Sequence, residues 1–403
     1  MKNEKQLLVI LAVIQFCHII DFMIIMPFGK TIMGAFDISP GQFGLIVSVY
    51  AGMAFIAGLI STAFIDRFDR RSALMVLFAG FIVGTLACGL ATNYTTFMIF
   101  RGLTGMFGGT LSALVLAIIG DVIPLNRRAS AMGWVMTAFS VASVVGIPVA
   151  IWIKEQSSWQ MPFFVVAGLS TLFWFLIPLF VKPIRGHLDE VAAFDAPKDL
   201  PLRRKKVASP WQTYINIFSD PNQRAALLFT VVLMLGHFTI IPFIAPYMQL
   251  NVGFEDMEVA YIYAVGGSLT VVLLPLFGKL ADKYGRLRIF TYASVLALFS
   301  IFAITNLGEV SIPMALVVTS SFFVVASGRN VPGTTMITSV VRPENRGSFM
   351  SIRQSFNELA LFLSSSLAGL IIVEDDLGRL VGYFAIFMSI VAIFLARRLK
   401  AIA

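Results

Sequence analysis

The sequence predicts an all-α polytopic membrane protein, with twelve transmembrane helices in two pseudo-symmetric six-helix bundles. Three observations carry this expectation. Of the 403 residues, 58% are hydrophobic and only 13% charged, where a soluble protein carries roughly a quarter charged. The apolar residues fall in blocks long enough to cross a bilayer core, which needs about 20 residues of helix. Similar polar loops also recur at a nearly constant offset in the two halves of the chain. Only helices or a closed barrel satisfy their own backbone in hydrocarbon. No block shows the polar–apolar alternation of barrel strands.

Taken in order, the first six spans are 7–28, 42–64, 72–92, 95–119, 129–152 and 161–181. The second six are 225–249, 258–280, 288–307, 312–337, 348–373 and 380–397. Span 1 follows the polar start MKNEK and superficially resembles a signal peptide. No small-residue cleavage site precedes a polar mature region, so it reads as a retained helix. Span 10 is interrupted by Arg329, Asn330, Pro332 and Gly333. Residues 182–223 read as a flexible linker between bundles 1–181 and 224–403. Its basic run Arg203–Arg204–Lys205–Lys206 suits anionic lipid headgroups, and Trp211–Phe218 reads as a short surface helix.

Lys and Arg collect in alternate loops, among them Arg67, Arg70, Arg127, Lys279, Lys283 and Arg346, while Lys30, Lys154 and Arg379 stand nearly alone on the other side. The positive-inside tendency then places both termini in the cytoplasm of a bacterial inner membrane. The same asymmetry explains the net charge of +8 without nucleic acid as a partner. The expected partners are membrane lipids and a small-molecule substrate, and the chain is expected to be a monomer. Cys17 and Cys88 lie in apolar spans and read as small buried hydrophobes. No metal-ligand cluster, nucleophile–base constellation or nucleotide loop is visible, which argues against an enzyme and against any cofactor.

Thr62–Arg71 reads TAFIDRFDRR between spans 2 and 3, and Gly278–Leu287 reads GKLADKYGRL between spans 8 and 9. A second matched pair is PLNR ending at Arg127 and PENR ending at Arg346. The stretch GKLADKYGR resembles the signature loop of the major facilitator superfamily: Gly, three residues, Asp, a basic residue, any residue, Gly and a basic residue. The first copy departs at Thr62 and Asp69, where glycines are expected, so it either packs less closely or forms an additional ion pair. Arg101–Gly102–Leu103–Thr104–Gly105 resembles the arginine pattern of proton-coupled members. Gly146–Ile147–Pro148 resembles the Gly-Pro element of antiporters, with Ile147 inserted. Asp21 with Pro27 is similar to the span-1 pattern of the twelve-helix exporters.

The resemblance implies a secondary active transporter that exports a small organic solute, drug-like, sugar or nucleoside, by alternating access in exchange for protons. Uniport or proton symport of a metabolite needs no change of fold. A non-transporting receptor or scaffold is the remaining reading.

An ionised side chain near mid-membrane costs on the order of 2.5–3.5 kcal/mol on insertion scales, so such residues are paired or functional. The candidates for proton coupling are Asp21, His18 three residues away on the same helical face, and Glu358 in span 11. A fixed ion pair or a position close to the periplasmic surface is the alternative for Asp21, and a hydrogen bond to backbone or water for His18. Arg101, Arg329 and Arg353 are charge partners: Arg101 for Asp21 or a helix-end carbonyl, and Arg329 for Glu358 if that pair is structural. Asn330, Asn357, Phe238, Phe243 and Tyr247 are candidates for the substrate cavity. A cytoplasmic gate is expected from Asp66 at the N-terminus of span 3, where free N–H groups favour an anion, with Arg70 or Arg71 pairing Asp121. Asp282 and Arg286 repeat the pattern, but the position matching Asp121 is Val340, so the latch is expected to be stronger in the first half. Gly102, Gly105, Gly108 and Gly109 give span 4 a small-residue face for close helix packing.

Overall fold

A computed structural model describes residues 2–62, 68–184, 210–341, 346–381, 396 and 399. Helix α1 (Lys2–Ile24) turns at Pro27 into a short α2 (Gly29–Phe36). Helices α3 (Pro40–Thr62), α4 (Arg70–Leu90) and α5 (Tyr94–Val122) follow. The next span is composite: α6 (Leu125–Val141), a π turn (Ala142–Gly146) and α7 (Ile147–Gln156). Pro148 has no N–H to donate, which is a recognised cause of such irregularity, and the Ile147 N–H reaches back five residues to the Ala142 carbonyl. Helix α8 (Met161–Phe180) completes this half.

After α9 (Pro210–Ser219), the second half runs through α10 (Pro221–Phe238), α11 (Ile241–Leu250), α12 (Asp256–Tyr284) and α13 (Arg286–Thr305). It continues with α14 (Ile312–Gly328), α15 (Asn330–Ser339) and α16 (Arg346–Ile371). Side-chain caps start several of these helices: Asn93 accepts from the Thr96 N–H of α5 at 3.0 Å, and Asp220 from the Asn222 N–H of α10 at 2.8 Å. Each cap satisfies a donor the helix cannot satisfy itself.

Among the described residues, ten helical stretches of 20 to 30 residues are long and apolar enough to span a membrane. They match expected spans 1 to 10. Span 11 exists as the 26-residue α16, but Arg353, Gln354, Asn357, Glu358 and a serine run at 364–366 leave it too polar for that group. The expected span 380–397 needs correction at its start. Leu380 and Val381 (β2) pair antiparallel with Val373–Glu374 (β1), and residues 382–395 lie outside the described set. Within the expected linker 182–223, residues Pro210–Ser219 form a helix where the sequence predicts one over Trp211–Phe218, and α10 begins at Pro221 under the Asp220 cap. The basic run 203–206 lies outside the described residues.

The outer surface is apolar, with Leu179, Val272 and Leu370 each more than 70% exposed. Such patches suit lipid and would be a liability in water. The polar groups are turned inward, with Asp21, Arg101 and Arg329 fully buried. Helix α3 packs closely on α5 and on α16. Gly105 of α5 meets it most tightly, since a Cβ there would stand 2.2 Å from the Tyr50 carbonyl oxygen. Against α16 the close approach is glycine on glycine, Gly41 and Gly44 facing Gly369. On the other flank α12 crosses the π turn, where a Cβ at Gly267 would meet Ser143 and Val144 at 3.1–3.2 Å.

Candidate functional site

Asp21 sits three residues before the C-terminal end of α1, and three other helices enclose it. Arg101 of α5 reaches it through Nη1, 2.9 Å from Oδ2, and also donates to the Asp21 carbonyl at 3.3 Å. The Thr85 hydroxyl of α4 donates to Oδ1 at 3.1 Å. Tyr50 of α3 places its ring under the guanidinium, 4.6 Å from its centroid, a cation–π contact. Both charged side chains are fully shielded from solvent. Removing two charges from water costs several kcal/mol per ion, so only good geometry with further hydrogen bonds sustains such a pair. Asp21 and Arg101 came from sequence; Thr85 and Tyr50 did not, because neither breaks an apolar pattern.

His18 lies one turn before Asp21, its ring 6.3 Å from that of Tyr50 and 6.4 Å from that of Phe81. Its Nδ1 is buried without a hydrogen-bond partner, as is the Tyr50 hydroxyl. Gly108 makes room for both, since a Cβ there would stand 2.4 Å from the Tyr50 hydroxyl.

The polar candidates of the second half lie on α16 and at the junction of α14 and α15. Glu358 of α16 accepts from Gln354 Nε2 at 2.9 Å, and Arg353 donates to Thr334 Oγ1 of α15 at 3.2 Å. Arg329 is buried at the junction of α14 and α15, and the break there is slight: its backbone remains helical at φ −64°, ψ −24°. Asn330 Oδ1 is buried without a hydrogen-bond partner, and Asn357 is partly buried on α16.

A cavity of about 700 Å³, counting its open space, lies between α1 and the α6–π segment on one side and α10, α11, α12 and α14 on the other. Phe22, Met23, Met26, Phe139, Phe238, Ile241 and Phe323 supply its apolar wall. Its polar groups are Ser140, Ser143, Thr270, Ser327, His237 and Tyr263. Phe238 therefore lines it, whereas Phe243 and Tyr247 do not. Phe243 is one turn further along and packs edge-on against Phe43 at 5.8 Å. The Tyr247 hydroxyl donates to the Thr305 and Leu307 carbonyls. Neither Asn330 nor Asn357 lines it. His237 and Tyr263 escaped the sequence reading, although a histidine inside the apolar run LMLGHFTIIP was a visible signal.

One end of the cavity is closed by ionic and close contacts. Lys154 of α7 forms an ion pair with Asp256 at the start of α12 and donates to Thr31 of α2 at 3.0 Å. Asp256 lies seven residues before Tyr263, about 10 Å along the helix. Beside it, a Cβ at Gly29 of α2 would stand 2.5 Å from Pro246 of α11.

At the other end Arg70 Nε pairs with Asp121 Oδ2 at 2.8 Å, and Arg127 with Glu4 at 3.1 Å. Arg71 donates instead to the Pro178 carbonyl of α8 at 3.3 Å. Asp66 lies outside the described residues. The cap of α4 is Asp69, which accepts from the Ser72 N–H at 3.0 Å and the Ile184 N–H at 2.7 Å. In the second copy Gly285 adopts φ +95°, a conformation that penalises any side chain. Asp282 and Arg286 are exposed there, with no ion pair among the described residues. No group of three His, Cys, Asp or Glu among those residues is placed to hold a metal ion.

Comparison with known proteins agrees with this architecture. The Major Facilitator Superfamily model matches residues 11–328 and 226–401. An uncharacterized MFS-type transporter, YwfA of Bacillus subtilis (strain 168), is 25% identical over 351 residues, 86% of this chain and 81% of the relative. The inner membrane transport protein YdhP of Escherichia coli O157:H7 is 27% identical over 292 residues, 72% of this chain and 70% of the relative. Among solved structures, a bacterial homolog of the human lysosomal transporter Spinster, inward-facing and unoccupied, superposes with a TM-score of 0.75. It is 18% identical, over 92% of this chain and 82% of its own. Ten apolar helices among the described residues, inward-turned charges and a family match over nearly the whole chain place this multi-pass membrane protein in the Major Facilitator Superfamily, as a secondary transporter that moves a small solute by alternating access.

Proposed function

We propose that the chain couples solute movement to a proton held at Asp21, and that solute and proton travel together. The observation that carries this reading is the position of Asp21. It is fully enclosed with Arg101 and Thr85, while the next residues of α1, Phe22 and Met23, form part of the cavity wall. Proton site and solute site are adjacent yet separate, so both can be held at once.

Protonation cancels the Asp21 charge and removes the strongest partner of Arg101, which keeps its charge throughout. The contact that seats α1 against α5 then weakens, and the cavity wall carried by α1 is free to shift. A proton drives such a change only if it binds the two access states differently. Lys154–Asp256 closes one entrance, and the Arg70–Asp121 latch supports the other. On this reading the chain sits in a bacterial inner membrane with both termini in the cytoplasm and twelve spans in two bundles. Export in exchange for protons, the direction implied by the Gly146–Ile147–Pro148 resemblance, uses the same groups with proton and solute alternating.

Reconstituted vesicles decide the question. A solute that exchanges without a gradient should accumulate with an inward proton gradient in the wild type. Asp21→Asn should retain exchange and lose gradient-driven accumulation. Full accumulation by correctly inserted D21N protein rejects the coupling role of Asp21. Accumulation against the proton flow selects antiport.

A further inference from the structure

The cavity next to Asp21 has a composition that points to a class of ligand. Among the described residues, no Asp, Glu, Lys or Arg side chain lines it. A charged ligand there would give up its hydration without meeting a counter-charge, which costs far more than burying a neutral group. A sugar would bring several hydroxyls, each needing a partner. The Ser143 hydroxyl already donates to the Phe139 carbonyl, and that of Thr270 to the Gly266 carbonyl.

Of the other four polar side chains, Ser140 and Ser327 carry small hydroxyls, and two atoms stand out as buried and unsatisfied. The Tyr263 hydroxyl and His237 Nδ1 are buried without hydrogen-bond partners, on side chains more than nine-tenths buried. An unsatisfied buried group costs enough that native proteins rarely retain one without a use. Around them stand Phe22, Phe238 and Phe323, with the sulfur of Met23, a wall suited to ring faces and edges. We propose that this cavity binds an uncharged aromatic molecule whose polar substituent hydrogen-bonds Tyr263 and His237. The assignment rests on the cavity being the solute path, and it adds the chemistry of the solute.

The test is calorimetric binding of 4-phenylphenol to the purified full chain in detergent. Tetraphenylphosphonium, biphenyl-4-carboxylate and methyl β-glucoside serve as charged and sugar probes. 4-Phenylphenol should bind at least about tenfold more tightly than each of these. Tyr263→Phe and His237→Phe should each weaken it about tenfold, the loss of one hydrogen bond to a buried group. Ser140→Trp, which fills the cavity, should abolish it. Preference for a charged or sugar probe, no binding of 4-phenylphenol, or binding insensitive to all three substitutions overturns the assignment. Failure of the transport reading looks different: 4-phenylphenol binds with this dependence, yet vesicles move no solute. If vesicles instead carry a charged solute whose flux Y263F leaves unchanged, transport stands and the ligand class falls.

Discussion

In the first half Asp21 and Arg101 meet at 2.9 Å inside a cage completed by Thr85 and Tyr50. In the second half Glu358 and Arg353 hydrogen-bond the neutral side chains of Gln354 and Thr334. Burying an ion pair ties its stability to both partners, so the first cluster responds sharply to the loss of either charge. Neutral partners demand less, so loss of either charge in the second cluster should disturb its neighbours less. The same contrast appears in the two repeated loops. Asp69 gives the first loop a helix cap and a tie to Ile184, while Gly285 lets the second turn with positive φ and no such tie among the described residues.

The largest expected effect follows from breaking the first cluster. Arg101→Leu leaves Asp21 buried without its counter-charge, a loss of about 3–5 kcal/mol for such pairs. Thermal unfolding in detergent should show a much lower midpoint for R101L than for Arg353→Leu, which strands only a hydroxyl. Equal losses would mean that the two halves do not differ in this way. Next in size is Gly105→Ala, whose added methyl meets the Tyr50 carbonyl at 2.2 Å. It should cost about 1–3 kcal/mol by overpacking. Gly278→Ala, 3.7 Å from its nearest neighbour, should be close to neutral in the same melt. The smallest effects belong to the loops. Asp69→Ala should cost about 1 kcal/mol through the lost cap, and Gly285→Ala a similar amount through strain at φ +95°. Asp69→Gly, which makes the first loop resemble the second, should cost less than Asp69→Ala, because glycine is a tolerable cap.

Much of this contrast is legible in the residues themselves. A charge inside an apolar run has few ways to exist, so Asp21 and Arg101 stand out and their pairing follows from the need to neutralise both. Asp69 before the run Arg70–Arg71–Ser72 carries the mark of a helix start, although the superfamily pattern draws attention to Asp66 instead. Thr85 gives no such signal, because a threonine hydroxyl in a membrane helix ordinarily satisfies itself on its own backbone, as Thr270 does, and Tyr50 and Tyr263 give none because a tyrosine ring fits an apolar helix face. Their roles depend on which face of each helix meets which neighbour, and glycines such as Gly105 and Gly108 set that by close approach. Phe243 and Tyr247 look like cavity residues because they follow Phe238 in an aromatic stretch. The turn at Thr239–Ile240 carries them past the cavity into the closed end.

The most direct measurement places spin labels at Gln156→Cys and Glu309→Cys, exposed positions in the two halves at the end closed by Lys154 and Asp256. Cys17 and Cys88 are buried and will not take label. If the charge of Asp21 sets the balance between access states, the label–label distance distribution in the wild type shifts as buffer goes from mildly alkaline to mildly acidic. In D21N the distribution stays fixed across the same change. An identical shift in both proteins, or no shift in either, contradicts a coupling role for Asp21.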